Sequence, residues 1–262
     1  MKPSRKGGGL GGGRTARIEG GIIMGAQISR RTAVLGIGGV LGAAAMAQVA
    51  QSSGAFAAPS ATGSYRPMQY GSTGNDVRAV QTSLAAAGFW CGSADGSYGA
   101  LTQQAVMALQ KAYGARRTGR VDYWTWTKVH LRRRTYSRYR YDGIEIDKTR
   151  QLLLVVRGAA VHSVFNTSTG NGEWFSYQGR WVRATTPSGT FSIFRGGSNG
   201  WDYGALGGLY RPRYFNGGIA IHGSPSIPGY AASHGCCRLT TRAQDHLLAT
   251  GRLAIGTKVR VY

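Results

Sequence analysis

Two hydrophobic rhythms divide the chain. Between residues 66 and 130 apolar positions recur at helical spacing. Val77, Val80 and Leu84 stand at i, i+3 and i+7 behind Asn75-Asp76, which predicts a helix capped by that pair and ended by Gly88. Asp95-Gly96 marks a turn. Thr102 is placed to cap a second helix that carries Ala105, Val106, Leu109 and Tyr113 on one face and stops at Gly114. A third, short helix starts near Tyr123-Trp124. From Tyr141 the period shortens to two. Ile144 and Ile146 alternate, Asp147-Lys148-Thr149-Arg150 turns the chain, and Leu152 to Val156 runs back, which predicts a hairpin. Further strands are expected at 161–165, 190–194, 218–221 and 258–261, with one helix at 242–250. The fold class is α+β and multidomain: a small three-helix segment, then a β-rich sandwich or partial barrel.

The first 57 residues read as a leader. Arg30-Arg31 precedes a charge-free stretch from Thr32 to Tyr65, and Ala55-Phe56-Ala57 offers an A-x-A cleavage site. Gly36, Gly38, Gly39, Gly42 and Gln48 interrupt the run, which favours a cleaved segment over a spanning helix. Twin arginines before a weakly apolar core resemble a Tat-type export signal. Contact with the membrane is then expected only through this segment. The stretch ahead of the arginines is long, and Met24 offers an alternative start. Residues 58–65 are a polar linker, and 131–140 are a basic, tyrosine-rich connector. The connector is read either as a contact for anionic wall polymer or as a solvated link.

Charge adds a partner class. The chain carries 32 Lys and Arg against 10 Asp and Glu, a net charge of +22. Without the leader it keeps 25 against 9, or +16. Such a surface attracts anionic polymers. Apart from Arg132-Arg133-Arg134 the cations are scattered and no nucleic-acid motif appears, so nucleic acid is not the expected partner. Bacterial wall, with its carboxylates and anionic polymers, fits the charge equally well. Three cysteines, Cys91, Cys236 and Cys237, leave at least one thiol free within a chain. A bond between the neighbours Cys236 and Cys237 would be strained. Cys91, beside Trp90, reads as a buried small hydrophobe.

The candidate chemistry lies in Ile221-His222-Gly223-Ser224 and Ser233-His234-Gly235-Cys236-Cys237-Arg238-Leu239. A thiol becomes a good nucleophile near neutral pH when a base sits beside it. Cys236 is the candidate nucleophile and His222, at a strand end, the candidate base. His234 is also a candidate base, because an extended segment puts it on the Cys236 face. Amides around Gly235 and Cys236 are candidate oxyanion donors, and Ser233 is expected to shape the loop. Glycine at 223 and 235 is expected to let the backbone approach substrate. Arg238 would hold either a substrate carboxylate or a buried structural one. Cys237 is a second sulfur beside Cys236, which leaves open which thiol reacts. A zinc site built from His222, His234 and Cys236 would lack the acidic general base that zinc peptidases use, so no metal is expected.

The H-G-x(n)-S-H-G-C-x-R-L pattern resembles the L,D-transpeptidase (YkuD-like) catalytic domain of bacterial wall enzymes. Asn166-Thr167-Ser168-Thr169-Gly170 and Thr186-Pro187-Ser188-Gly189-Thr190-Phe191 extend the resemblance over 141–262. Residues 66–130 resemble a peptidoglycan-binding domain, on Gly71-Ser72-Thr73-Gly74-Asn75-Asp76-Val77, Gly88-Phe89-Trp90, Asp95-Gly96-Ser97-Tyr98-Gly99 and Thr125-Trp126. The resemblance implies Cys236 as nucleophile, His222 as base and the Gly223 carbonyl as third member of the triad. It implies a structural or pocket role for His234, which ranks that residue second as base, and a core place for Cys237. It implies a lid tyrosine, carried to Tyr210, and no cofactor. The implied reaction joins peptidoglycan stem tetrapeptides into 3→3 cross-links through a thioester. Hydrolysis by water, as an L,D-carboxypeptidase, and a non-catalytic wall-binding protein are the alternatives.

Overall fold

A computed structural model describes residues 65–262. The leader and all but the last residue of the linker lie outside the described residues. Three helices come first: α1 (Asn75–Ala86), α2 (Ala100–Ala112) and α3 (Tyr123–His130). Twelve strands and one helix follow: β1 (Gly143–Asp147), β2 (Leu152–Arg157), β3 (Ala160–Asn166), β4 (Trp174–Tyr177), β5 (Arg180–Arg183), β6 (Gly189–Ser192), β7 (Arg195–Gly196), β8 (Trp201–Gly204), β9 (Gly207–Asn216), β10 (Ile219–Gly223), β11 (Cys237–Leu239), α4 (Thr241–Ala249) and β12 (Lys258–Val261). None of the described helices is long and apolar enough to cross a membrane.

Two helix starts differ from expectation. Gly74, not the Asn75-Asp76 pair, precedes α1, and no side chain caps that helix. Gly99 precedes α2, while the Thr102 hydroxyl is drawn inward as acceptor for Gln81 Nε2 at 2.9 Å. In both cases a neighbouring glycine supplies the non-helical entry. Asp122 does cap α3, accepting from the Thr125 amide at 2.7 Å.

The strands form a five-stranded sheet ordered β3-β2-β1-β12-β6 and a second sheet ordered β11-β10-β9-β7, with β8 on β9. The β1–β2 hairpin forms in the expected register, Ile144 opposite Val155 and Ile146 opposite Leu153. The unbroken run Leu152 to Val156 has a physical cause in the burial of β2 on both faces. Leu153 and Val155 enter the core between the two sheets, with Ile144, Ile146, Ile221, Leu239 and Leu247. Leu152, Leu154 and Val156 face the other way and pack with Val80, Leu84, Phe89 and Leu109 of the helical segment.

The helical and β-rich segments therefore share a core. Backbone bonds seal the joint: Val164 N–H donates to the Gly88 carbonyl at 2.8 Å and Trp90 N–H to the Val164 carbonyl at 3.1 Å. Buried Lys111 on α2 donates to the carbonyls of Gln151 at 2.9 Å and Thr167 at 3.0 Å. The connector is not a freely solvated link. Glu145, fully buried on β1, accepts from the Ser137 hydroxyl at 2.6 Å, the amides of Arg138 and Tyr139 at 3.0 and 3.1 Å, and the Tyr262 hydroxyl at 3.1 Å. Such a carboxylate fixes the segment that crosses it.

Candidate active site

β10 and β11 are parallel neighbours with Ile221 opposite Cys237 and His222 opposite Arg238. Alternation along the pair decides which side chains face solvent. Ile221, Cys237 and Leu239 point into the core. Cys236 and Arg238 face the other way and, with His222, line a cleft of about 780 Å³. This separates the two sulfurs: Cys237 is fully buried in core contact, and only Cys236 reaches the cleft.

The loop carrying Cys236 is held from behind. Ser233 Oγ donates to the Cys236 carbonyl at 2.6 Å and accepts from the Gly235 amide at 3.0 Å. Thr186 Oγ1 donates to the Gly235 carbonyl at 2.6 Å and accepts from the Gly170 amide at 3.0 Å. Thr167 Oγ1 donates to the Arg238 carbonyl at 2.8 Å, and the Arg238 amide to the Ser168 carbonyl at 3.0 Å. The two threonine-rich landmarks of the sequence thus brace the cysteine loop. Gly235 is required by its backbone, at φ +143°, and by the Thr185 carbonyl, which a Cβ would meet at 3.1 Å. At Gly223 a Cβ would stand 2.8 Å from the Tyr210 ring. Both glycines therefore admit the protein's own atoms, where approach of substrate was expected. The Gly235 amide is occupied by Ser233, so of the two expected oxyanion donors it is not the free one.

His222 is buried, and its Nδ1 lies 2.8 Å from the Gly223 carbonyl oxygen. A carbonyl only accepts, so Nδ1 carries the proton and Nε2 keeps its lone pair. Burial pulls the imidazole down to about 4, with Arg238 lowering it further and the Gly223 carbonyl opposing. Burial pushes the Cys236 thiol up, against the Ala220 amide and the Arg238 charge. Both shifts favour the uncharged forms, thiol and imidazole. No hydrogen bond joins them: Sγ accepts from the Ala220 amide at 3.4 Å and lies 3.8 Å from the Gly218 carbonyl. His234 also borders the cleft, but it is exposed and its ring rests 4.6 Å from Phe175. No carbonyl tether comparable to that of His222 holds it.

Arg238 has no carboxylate partner among the described residues, so the buried structural acid offered as one of its two readings is not there. Its guanidinium faces the cleft together with Arg183, and no Asp or Glu lines that cleft. Tyr210 does not line it either. Its hydroxyl donates to Asp245 Oδ2 on α4 at 3.3 Å, beside the Arg211–Asp245 ion pair at 2.6 Å. The cleft aromatics are Tyr177 on β4, Trp201 and Tyr203 on β8, and Tyr214 on β9. Sequence reading missed the β4–β5 and β8–β9 hairpins that carry all four. A signal existed, since Trp174 to Tyr177 and Arg180 to Arg183 flank Gln178-Gly179, a turn between alternating aromatic positions.

Comparison with known proteins agrees with this architecture. Residues 141–261 match the L,D-transpeptidase catalytic domain (YkuD) family, and residues 73–129 match the family described as "Putative peptidoglycan binding domain". The crystal structure of the L,D-transpeptidase (residues 123–326) from Xylanimonas cellulosilytica is 42% identical, covers 76% of this chain and 99% of that one, and superposes with a TM-score of 0.72. An L,D-transpeptidase from Stackebrandtia nassauensis is 21% identical over 76% of this chain and 97% of that one, TM-score 0.42. The catalytic domain of the Enterococcus faecium L,D-transpeptidase is 19% identical over 48% of this chain and 100% of that one, TM-score 0.38. No protein of curated function matches. The chain belongs to the L,D-transpeptidase family and is a peptidoglycan-modifying enzyme with a peptidoglycan-binding segment.

Proposed function

We propose that the protein is an exported, cysteine-dependent L,D-transpeptidase that forms 3→3 cross-links between peptidoglycan stems. The observation that carries this reading is the shared cleft of Cys236 and a His222 whose Nδ1 is tied to the Gly223 carbonyl. That tether leaves Nε2 as the proton acceptor, and a turn of the Cys236 side chain away from Ala220 offers the thiol to it. Sγ attacks the carbonyl of the third stem residue as its proton passes to Nε2. The Cys236 amide receives the oxyanion. The C–N bond breaks, D-Ala leaves with the proton from the imidazolium, and a thioester remains on Cys236. The side-chain amine of a second stem attacks the thioester and restores the thiol. Arg238 and Arg183 hold substrate carboxylates in a cleft that has cations and no acid. A Tat-type signal within residues 1–57 delivers the chain to the wall.

The test is intact mass after incubation of the reduced protein with a disaccharide-tetrapeptide. A Cys236-dependent acyl adduct with a cross-linked dimer is the expected result. Tripeptide alone would make water the acceptor. No adduct and no product from folded protein would leave only wall binding.

A further inference from the structure

We propose that a second, cationic pocket binds the phosphate groups of a phosphodiester polymer. The pocket, of about 380 Å³, opens where the end of α2, the connector and the β1–β2 turn meet. Phe89, Tyr113, Arg133, Arg134, Thr135 and Arg150 line it, and none of these borders the active cleft. Three arginines therefore line one small space that no carboxylate lines, and Arg133 and Arg134 are exposed. Arg150 is balanced by Asp147 at 2.7 Å. Arg133 and Arg134 have no acidic partner among the described residues. Arg134 spends one N–H on the Val161 carbonyl at 3.3 Å, and the rest of its fork is uncommitted. Converging cations repel unless an anion joins them.

The Tyr113 hydroxyl supplies an independent observation. It is buried and has no hydrogen-bond partner among the described residues. Buried hydroxyls are normally satisfied. An anionic oxygen in the pocket would accept from it, from the guanidinium forks and from the Thr135 hydroxyl. These directional donors match the two charged non-bridging oxygens of a phosphodiester, each of which can accept more than one hydrogen bond. Glu145 anchors the connector just beyond the lining residues, at Ser137, Arg138 and Tyr139, and the Arg134 bond to the Val161 carbonyl ties it to β3. Exposed Arg138 and Arg140 continue the charge along the same segment, which suits a ligand with repeating charges.

The experiment titrates the full-length, reduced protein with a glycerol-phosphate oligomer of about six repeats near 0.15 M salt, where diffuse surface attraction is screened. The expected result is saturable binding that inorganic phosphate competes away. Arg133→Gln with Arg134→Gln should weaken it by about tenfold or more. The charge-matched pair Arg66→Gln with Arg120→Gln, both exposed and outside the pocket, should change it by less than about twofold. Tyr113→Phe, which keeps the ring, should weaken binding severalfold and reads the same pocket if the double variant loses stability. Equal losses from the two arginine pairs, or no gain over a neutral glycerol oligomer, would overturn the proposal. Binding only to phosphatidylglycerol vesicles would also overturn it, by moving the phosphate source to a membrane. None of these outcomes bears on the cleft.

Discussion

The Nδ1 of His222 and the carbonyl oxygen of Gly223 lie 2.8 Å apart, in consecutive residues at the end of one strand. A triad-like orientation is thereby obtained without a carboxylate. The missing negative charge has a measurable effect, because the Gly223 carbonyl alone opposes burial and leaves the imidazole low.

The acid limb of activity should consequently lie low. The neutral imidazole is the reactive form, so kcat/KM for a tetrapeptide should rise with pH through about 4 and be flat above it. Free-enzyme alkylation of Cys236 by iodoacetamide should keep rising with pH, since its thiol sits above the ordinary value of 9.0. An alkylation plateau between about pH 5 and 8 would instead reveal a resting thiolate–imidazolium pair and overturn this assignment.

The same burial sets a stability slope. The folded-state pKa of His222 is depressed to about 4 from 6.5, so the unfolded chain binds more protons between those values. The stability contribution is complete above the upper value and is lost as pH falls toward the lower, by about 3 kcal/mol in all. Urea midpoints at pH 7 and pH 4.5 should show most of this loss in the wild type. In His222→Gln this contribution should be absent.

The two neighbouring sulfurs should separate cleanly. Cys236→Ala should abolish the acyl adduct with little change in melting temperature. Cys237→Ala should keep the adduct and lose about 1–2 kcal/mol, because a buried sulfur is replaced by a small void. Parallel mass spectra and thermal melts decide it; an adduct retained in Cys236→Ala would reverse the roles.

Ser233→Ala tests the brace. One hydroxyl serves both the Cys236 carbonyl and the Gly235 amide, so its removal should cost about 1–3 kcal/mol. The looser loop should slow acylation by about tenfold or more, since misplacement near the nucleophile is expensive. Wild-type acylation rates in this variant would show that Thr186 alone holds the loop.

Lys111→Ala tests the joint between helices and sheet. It removes the ammonium donor from the Thr167 and Gln151 carbonyls, of which Gln151 keeps the Thr167 amide, and opens a cavity, at about 2–4 kcal/mol. A single unfolding transition should persist in calorimetry. Two resolved transitions would mean that the segments fold independently.

Much of this was legible in the chain. The β1–β2 hairpin, β12 and α4 follow from alternation, turn residues and a helical period, and the core place of Cys237 follows from the family resemblance. What escaped were features fixed by remote partners. β4, β5, β8 and β9 are short or half-exposed, and their burial carries little alternation. The family resemblance carries a lid tyrosine to Tyr210, yet Asp245 on α4 holds its hydroxyl elsewhere. The bond from Ser233 to the Gly235 amide depends on the bend at Gly235, which one-dimensional spacing does not encode.

The double-sided burial of β2 changes how the two segments cooperate. A module on a flexible tether raises the local concentration of wall around an enzyme. One whose side chains complete the enzyme's own core sets an angle and a distance instead. The peptidoglycan-binding helices and the cleft are thereby held like the jaws of a caliper locked at one span. Cutting the chain between Leu131 and Arg140 would bare the apolar row Leu152, Leu154 and Val156 rather than release a smaller enzyme.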